Sequence, residues 1–196
     1  QEQRVLPDSP TRRVGGAPLT AFASHTHLGR LWSLDKVRSE AALGDWLKRV
    51  ITSAGGEQTP LFGLEYKFDG LTINLTYEHG ELVQGATRGN GTVGEAILPQ
   101  ILTIRSIPLT IPFQGRMEVQ GECIMRLSVL ERYNKTAEEP LKNARNAAAG
   151  ALRNLDPEVT RSRHLDCFCY NIGYIEGREL HDQAEMLSFL KENGLP

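Results

Sequence analysis

The sequence predicts an α+β fold with antiparallel sheets and flanking helices, not a doubly wound parallel one. Two observations carry this. The clearest alternating segment, LTINLTY, reaches His79-Gly80 and turns straight back through ELVQGAT, so its two strands form a hairpin with no helical crossover. Segments of helical period stand apart from the strand pairs and do not link parallel strands. A chain of 196 residues can bury one good core and at most a small second subdomain.

Taken in chain order, residues 1–30 read as an extended arm punctuated by PDSP and GGAP. Ser39 is placed to cap a helix whose Leu43, Trp46, Leu47, Val50 and Ile51 recur at helical spacing, and SAGGEQTP ends it. In 71–77, Leu71, Ile73, Leu75 and Tyr77 share one strand face, and Thr72, Asn74 and Thr76 the other. Past the hairpin, TRGNGTVGE reads as a Gly-rich turn, and a short helix is expected over 95–102. MEVQGECIM (117–125) alternates again, with Glu118, Gln120 and Glu122 on one face. Ser128 and Glu131 have capping-box spacing for a helix through about Tyr133. NARNAAAGALRNL predicts an alanine-rich helix carrying Arg145 and Arg153, and LDCFCYNIGY predicts a strand. Asp182 with Glu185 caps a last helix that stops at Gly194.

Composition narrows the functional classes. With 40% hydrophobic and 23% charged residues the chain is of the globular type. A net charge of -2 excludes a generally basic nucleic-acid coat, so any polyanion binding must come from a local patch. Cys123, Cys167 and Cys169 make no disulfide framework and lack the four-ligand spacing of a zinc site. Cys167-x-Cys169 puts two thiols on one strand face, where packing explains them. No apolar run is long enough to span a membrane, and no signal peptide is visible. The chain opens on Gln1, which is expected of a piece of something longer.

The segment that demands chemistry is EYKFDGL, residues 65–71. A lysine attacks phosphorus or carbonyl carbon only as the free amine, which burial or neighbouring positive charge favours. The aromatic neighbours Tyr66 and Phe68 and the following Gly70, which lets backbone approach closely, suit such a site. By itself K-x-D-G arises by chance in roughly 4% of chains this long, so the alternative of a solvated lysine beside a turn stays open. Two further features follow in order. Arg88 stands in ATRGNGTVGE, where a guanidinium can fork onto phosphate or ribose oxygens, though no Walker Gly-Lys-Ser/Thr is present. Glu122 in EVQGE puts a carboxylate on a polar strand face, able to accept ribose hydroxyls.

In their order, PDSPTRRVGGAPL, LWSLDKV, EYKFDGL, GATRGNGTVGE, TIRSIPL, MEVQGE, NARNAAAGALRNLDP and FCYNIGY resemble the bacterial NAD-dependent DNA ligases over nearly the whole chain. The resemblance implies the nucleotidyltransferase (adenylation) fold, with an N-terminal arm over 1–38 and a nucleotide-binding core over 39–196. It implies that Lys67 takes AMP from NAD, with Asp69 and Gly70 completing the motif. Glu65 would read the adenine amino group, Arg88 contact the nucleotide, and Glu122 meet the ribose. Tyr170 would sit at the aromatic strand position closing on the nucleotide, with His25, Ser33 and Leu34 nearby. Arg145 and Arg153 would face DNA, against the alternative of a solvated helix face.

The further implications are Mg²⁺ and nicked double-stranded DNA as partners, a cytoplasmic bacterial setting, and no protein-built metal site. Four positions depart from the family pattern: Asn90 for Asp, Ala144 for Pro, and Trp32 and Lys36 around SLD. The resemblance further implies a fragment. A nicotinamide-binding subdomain would precede Gln1, and later lysine motifs, an OB-fold and a zinc region would follow Pro196. Such a piece is expected to seal no nicks alone and to bind NAD poorly. The rival readings are a nucleotide-binding module without turnover and an ATP-using relative such as an RNA ligase or capping enzyme.

Overall fold

Six strands and six short helices make up the described part of a computed structural model covering residues 6–13, 19–56 and 60–196. The GGAP punctuation of the arm lies outside the described residues. The chain divides into two compact units, one of Gln1–Leu31 with Lys67–Pro196 and one of Trp32–Tyr66.

The first unit is built on a four-stranded antiparallel sheet. Strands β2 (Leu71–Glu78), β3 (Glu81–Thr87), β5 (Met117–Ile124) and β6 (Asp166–Ile175) lie in the order β3-β2-β5-β6. The expected hairpin is present. His79 and Gly80 both take positive φ, 50° and 76°, the backbone that a tight two-residue turn between twisted strands requires. A second, two-stranded sheet pairs β1 (Ser24–Thr26) with β4 (Val93–Glu95). The mixed antiparallel architecture agrees with the α+β expectation.

One face of the large sheet is apolar. Ile73, Leu75, Tyr77, Val119, Cys123 and Cys167 are all fully buried there. Helices α2 (Leu98–Ile101), α4 (Ala144–Leu152) and α6 (Gln183–Glu192) supply Ile101, Ala148, Leu152, Phe189 and Leu190 to the same core. Each large aliphatic side chain buried this way contributes about 1.5–3 kcal/mol. Helix α5 (Pro157–Ser162) follows α4 directly. The three cysteines are free thiols, and Cys167 and Cys169 both lie against Gly121, so packing is their role.

Several local expectations are corrected. The arm holds a 3-10 turn at Pro10–Arg13 and strand β1, so it is not extended throughout. Glu95 belongs to β4, and the helix expected from 95 begins only at Leu98, because residues 93–95 are claimed by pairing with 24–26. Helix α3 (Leu127–Asn134) has Arg126 as its N-cap, which leaves Ser128 inside the first turn and not at the cap; no side chain caps this end. The last helix is as read. Asp182 accepts from the Glu185 amide, Gly194 takes φ 71°, and Leu195 N donates back to Leu190 O.

The second unit centres on helix α1 (Glu40–Ser53). Ser39 caps it by accepting from Ala42 N at 3.2 Å. Trp46 on this helix meets Phe62 ring to ring, with centroids 5.7 Å apart.

Candidate functional site

The other face of the four-stranded sheet is polar, yet it is not a solvated face. Across the β2–β5 ladder Thr72 faces Glu122, Asn74 faces Gln120, and Thr76 faces Glu118. Alternation alone predicts that such a stripe is wet; here Asn74, Thr76, Glu118 and Gln120 are all buried. A buried carboxylate persists only when its oxygens are met by donors. Glu118, with 0% exposure, accepts from the amides of Leu28 and Gly29 at 2.9 and 3.2 Å. Its other oxygen lies 3.5 Å from both Thr76 Oγ1 and His25 Nε2. The arm around residues 25–31 therefore covers one end of the polar face.

His27 ties that arm to the arginine segment. Its Nε2 donates to the carbonyl of Arg88 at 3.1 Å, and its Nδ1 accepts from Asn74 Nδ2 at 3.0 Å, which assigns the neutral Nε2–H tautomer. Burial lowers the His27 pKa, consistent with a neutral ring. His25 packs edge-on against His27, with centroids 5.4 Å apart, and is not the ordinary surface histidine that its sequence left open.

At the opposite end of the stripe stands Glu122. One oxygen accepts from Gly70 N at 3.1 Å and the other from Thr72 Oγ1 at 2.9 Å. Gly70 has to be glycine here, because a Cβ would overlap the carbonyl of Cys123. Tyr170 shares this environment. Burial raises its pKa, the Glu122 carboxylate raises it further, and a hydrogen bond to Thr72 and the charge of Arg88 oppose the rise. Gly70, Arg88, Glu122 and Tyr170 are thus brought together on one sheet face.

Lys67 is exposed, in irregular chain three residues ahead of Gly70. Its neighbour Phe68 stacks on Phe168 of β6, with centroids 4.2 Å apart and planes within 10°. Since Phe168 pairs with Glu122 across β5–β6, the stack anchors the lysine segment to the same corner of the sheet. Asp69 is exposed and forms an ion pair with Arg145 at 3.0 Å. Arg145 stands in the first turn of α4, and Arg153 at its C-cap pairs with Glu95 at 3.3 Å. Glu65, Ser33 and Leu34 are exposed positions of the second unit.

Two departures from the family pattern have local explanations. Asn90 Oδ1 accepts from the amides of both Thr92 and Val93 at 2.9 Å, bonds that an aspartate oxygen accepts equally. Ala144 is the first residue after the Asn143 cap, where proline is favourable but not required. Trp32 and Lys36 are exposed, and nothing in the structure explains either substitution.

The sequence reading missed Glu118, His27, Asn74 and the Phe68–Phe168 stack. The two facing polar stripes, T-x-N-x-T and E-x-Q-x-E, were visible as patterns. What covers them depends on long-range contacts that no local pattern encodes. His25, His27 and Glu118 bring three ligand atoms within 4.8 Å of one another, with both ring nitrogens of His27 and one oxygen of Glu118 engaged in hydrogen bonds.

Comparison with known proteins fits this architecture. Residues 19–196 match the family described as the NAD-dependent DNA ligase adenylation domain. A DNA ligase of Alkaliphilus oremlandii is 60% identical over 193 residues, covering 98% of this chain and 29% of that protein. A DNA ligase of Alkaliphilus metalliredigens is 57% identical, again over 98% of this chain and 29% of the relative. One from Finegoldia magna is 52% identical over 96% of this chain and 30% of its own length. Fold and match together define the class as an adenylation domain. The chain belongs to the NAD-dependent DNA ligase adenylation domain family, and it spans under a third of the length of these relatives.

Proposed function

We propose that residues 1–196 form part of the adenylation domain of an NAD-dependent DNA ligase and that Lys67 is its covalent nucleophile. In this reading the free amine of Lys67 attacks the α-phosphorus of NAD. A nitrogen–phosphorus bond forms, the bond to nicotinamide mononucleotide breaks with its electron pair leaving on that group, and the amine loses a proton. AMP then passes to the 5′-phosphate of nicked double-stranded DNA, and the 3′-hydroxyl displaces it to seal the strand. Phosphoryl transfer of this kind depends on in-line positioning and on cations around the phosphate.

The observation that supports this reading is the corner where Glu122 accepts from Gly70 and Thr72 while Phe68 stacks on Phe168. It ties the Lys67 segment to a sheet face carrying Arg88 and Tyr170. Arg88 is assigned to the phosphates, Glu122 to the ribose, and Tyr170 to the aromatic wall. Glu65 is assigned to the adenine amino group, with Ser33 and Leu34 beside the nucleotide. Asp69 supports the lysine motif through its pair with Arg145, and Arg145 and Arg153 offer guanidinium groups to DNA phosphates.

The candidate metal ligands among the described residues do not suit Mg²⁺, which prefers oxygen donors and octahedral geometry, since His25, His27 and Glu118 offer two imidazoles and a committed carboxylate. Mg²⁺ is accordingly assigned to the phosphates of the substrate. The bacterial cytoplasm is the proposed setting.

The experiment is intact mass measurement of the full-length protein containing this chain after incubation with NAD or with ATP. Covalent AMP from NAD is expected, and none from ATP. Lys67→Arg keeps the charge but cannot supply a free amine at neutral pH, so its adduct should vanish. Adenylation of that variant overturns the assignment.

A further inference from the structure

On the apolar side of the large sheet, away from the polar ladder, Pro10, Arg13, Thr103, Arg105 and Arg161 line a cavity of about 420 Å³. Three guanidinium groups and a hydroxyl converge there; among the described residues no carboxylate lines the cavity, and Glu158 pairs with Arg161 from beside it. On a chain of net charge -2, such a concentration of one sign is a local feature that ordinary surface mixing does not produce.

The arrangement is built and held. Arg13 donates to the carbonyls of Ile104 and Ile107 at 2.8 and 2.7 Å, which fixes its guanidinium at the edge of the core. Arg161 Nη2 donates to the carbonyl of Arg13 at 2.7 Å, tying α5 to the 3-10 turn. The Nε of Arg161 is buried and makes no hydrogen bond, although Glu158 Oε1 stands 3.3 Å away. Arg105 is exposed at the rim, close enough for its charge to act on Arg13. Burial lowers the pKa of Arg13; Tyr77 opposes this, and the like charge of Arg105 adds to the lowering. Glu158 offsets the charge of Arg161 only, so the like charges of Arg13 and Arg105 still act on one another, and an anion between them removes that repulsion. Guanidinium forks match the oxygens of a phosphate in particular.

We propose that the Arg13–Arg105–Arg161 cavity is a binding site for a phosphate-bearing anion, separate from the nucleotide face. The phosphate comes either from the phosphodiester backbone of nucleic acid or from a soluble polyphosphate. The site does not depend on lysine adenylation, so its test stands apart from that of the proposed function.

The probe is pyrophosphate, titrated calorimetrically into the 196-residue chain at low salt. One saturable site is expected. Arg105→Gln should weaken it at least tenfold and Arg105→Glu should abolish it, with the melting temperature of both variants close to that of the parent because Arg105 is exposed. Arg132→Gln, an exposed change on α3, should leave binding unchanged. A short DNA duplex added in competition then distinguishes the sources. Displacement of pyrophosphate, with a shallower salt dependence of DNA binding in Arg105→Gln, supports the backbone source; binding of pyrophosphate without displacement supports a soluble polyphosphate. Absence of saturable binding, or equal weakening by Arg132→Gln, overturns the proposal.

Discussion

Glu122 holds the amide of Gly70 with one carboxylate oxygen and the hydroxyl of Thr72 with the other, pinning the first residues of β2 to β5. The carboxylate proposed to meet the ribose therefore also organises the backbone immediately after the lysine motif. Glu122→Ala leaves the Gly70 amide without its partner, at a cost of about 1–3 kcal/mol, while Glu122→Gln keeps one acceptor and should cost less. Urea denaturation of the two variants decides this, and equal stability would show that the bond to Gly70 contributes nothing.

Gly70→Ala tests the close approach of β2 and β5 directly. The added methyl group overlaps the Cys123 carbonyl, and the backbone has to move. A loss of about 1–3 kcal/mol is expected, as for other overpacked sites. Calorimetric melting of the variant at the parental temperature would refute the close approach.

Phe68→Ala removes the ring stacked on Phe168 and frees the segment that carries Lys67. Such pairs contribute about 0.5–1.5 kcal/mol beyond their buried area, which corresponds to a few-fold to tenfold loss in adenylation rate if the stack positions the lysine. Phe68→Tyr should restore most of it. Single-turnover formation of lysyl-AMP in the full-length protein measures the effect; a rate unaffected by the alanine change removes Phe68 from the positioning role.

His27 makes stability depend on pH with a defined sign. Its folded pKa lies below the ordinary 6.5 because of burial, so in this range the unfolded chain binds more protons than the folded one. The contribution is complete above pH 6.5 and is lost as pH falls toward the lowered folded value, with a slope of at most about 1.4 kcal/mol per pH unit. His27→Gln lacks this proton, so the stability gap between parent and variant should narrow on acidification. Urea midpoints at about pH 7.5 and 5 read this out; a constant gap contradicts it.

Arg145 and Asp69 form an exposed pair, and such pairs contribute about 0–1 kcal/mol to stability. Arg145→Ala should leave the melting temperature nearly unchanged. In the full-length protein it should reduce the salt slope of DNA binding by about one if the guanidinium meets a phosphate. An unaltered slope assigns Arg145 to the ion pair alone.

Much of the sheet was legible because its rules are local. Alternation in 71–77 and 117–125, and the two-residue turn at His79-Gly80, specify three strands and their antiparallel pairing. Caps at Ser39 and Asp182 were equally readable, since each bonds within three residues. β4 was not, because Val93–Glu95 is a strand only through partners at 24–26, far away in sequence. Ser128 misled because capping-box spacing does not say where the preceding chain stops being extended, and Arg126 is where that happens. At the site, Gly70, Arg88 and Glu122 were named from their motifs, and Tyr170 from the family resemblance. The buried state of Glu118 and its binding to His25, Leu28 and Gly29 could not be, since amide donors leave no mark in side-chain identity.

The ladder of polar side chains between β2 and β5 also acts as a key against misalignment. Moving β2 by two residues preserves the inward and outward faces of both strands, so apolar burial alone does little to forbid it. In one direction the shift sets Glu78 opposite Glu118, two carboxylates face to face, where the native pairing puts Thr76. It also takes Thr72 away from Glu122 and strands the Gly70 amide. A chain that has folded with the wrong alignment is therefore penalised in part at Glu122 and Gly70, residues of the proposed site, so the contacts that check the alignment of the sheet also assemble that corner of the site.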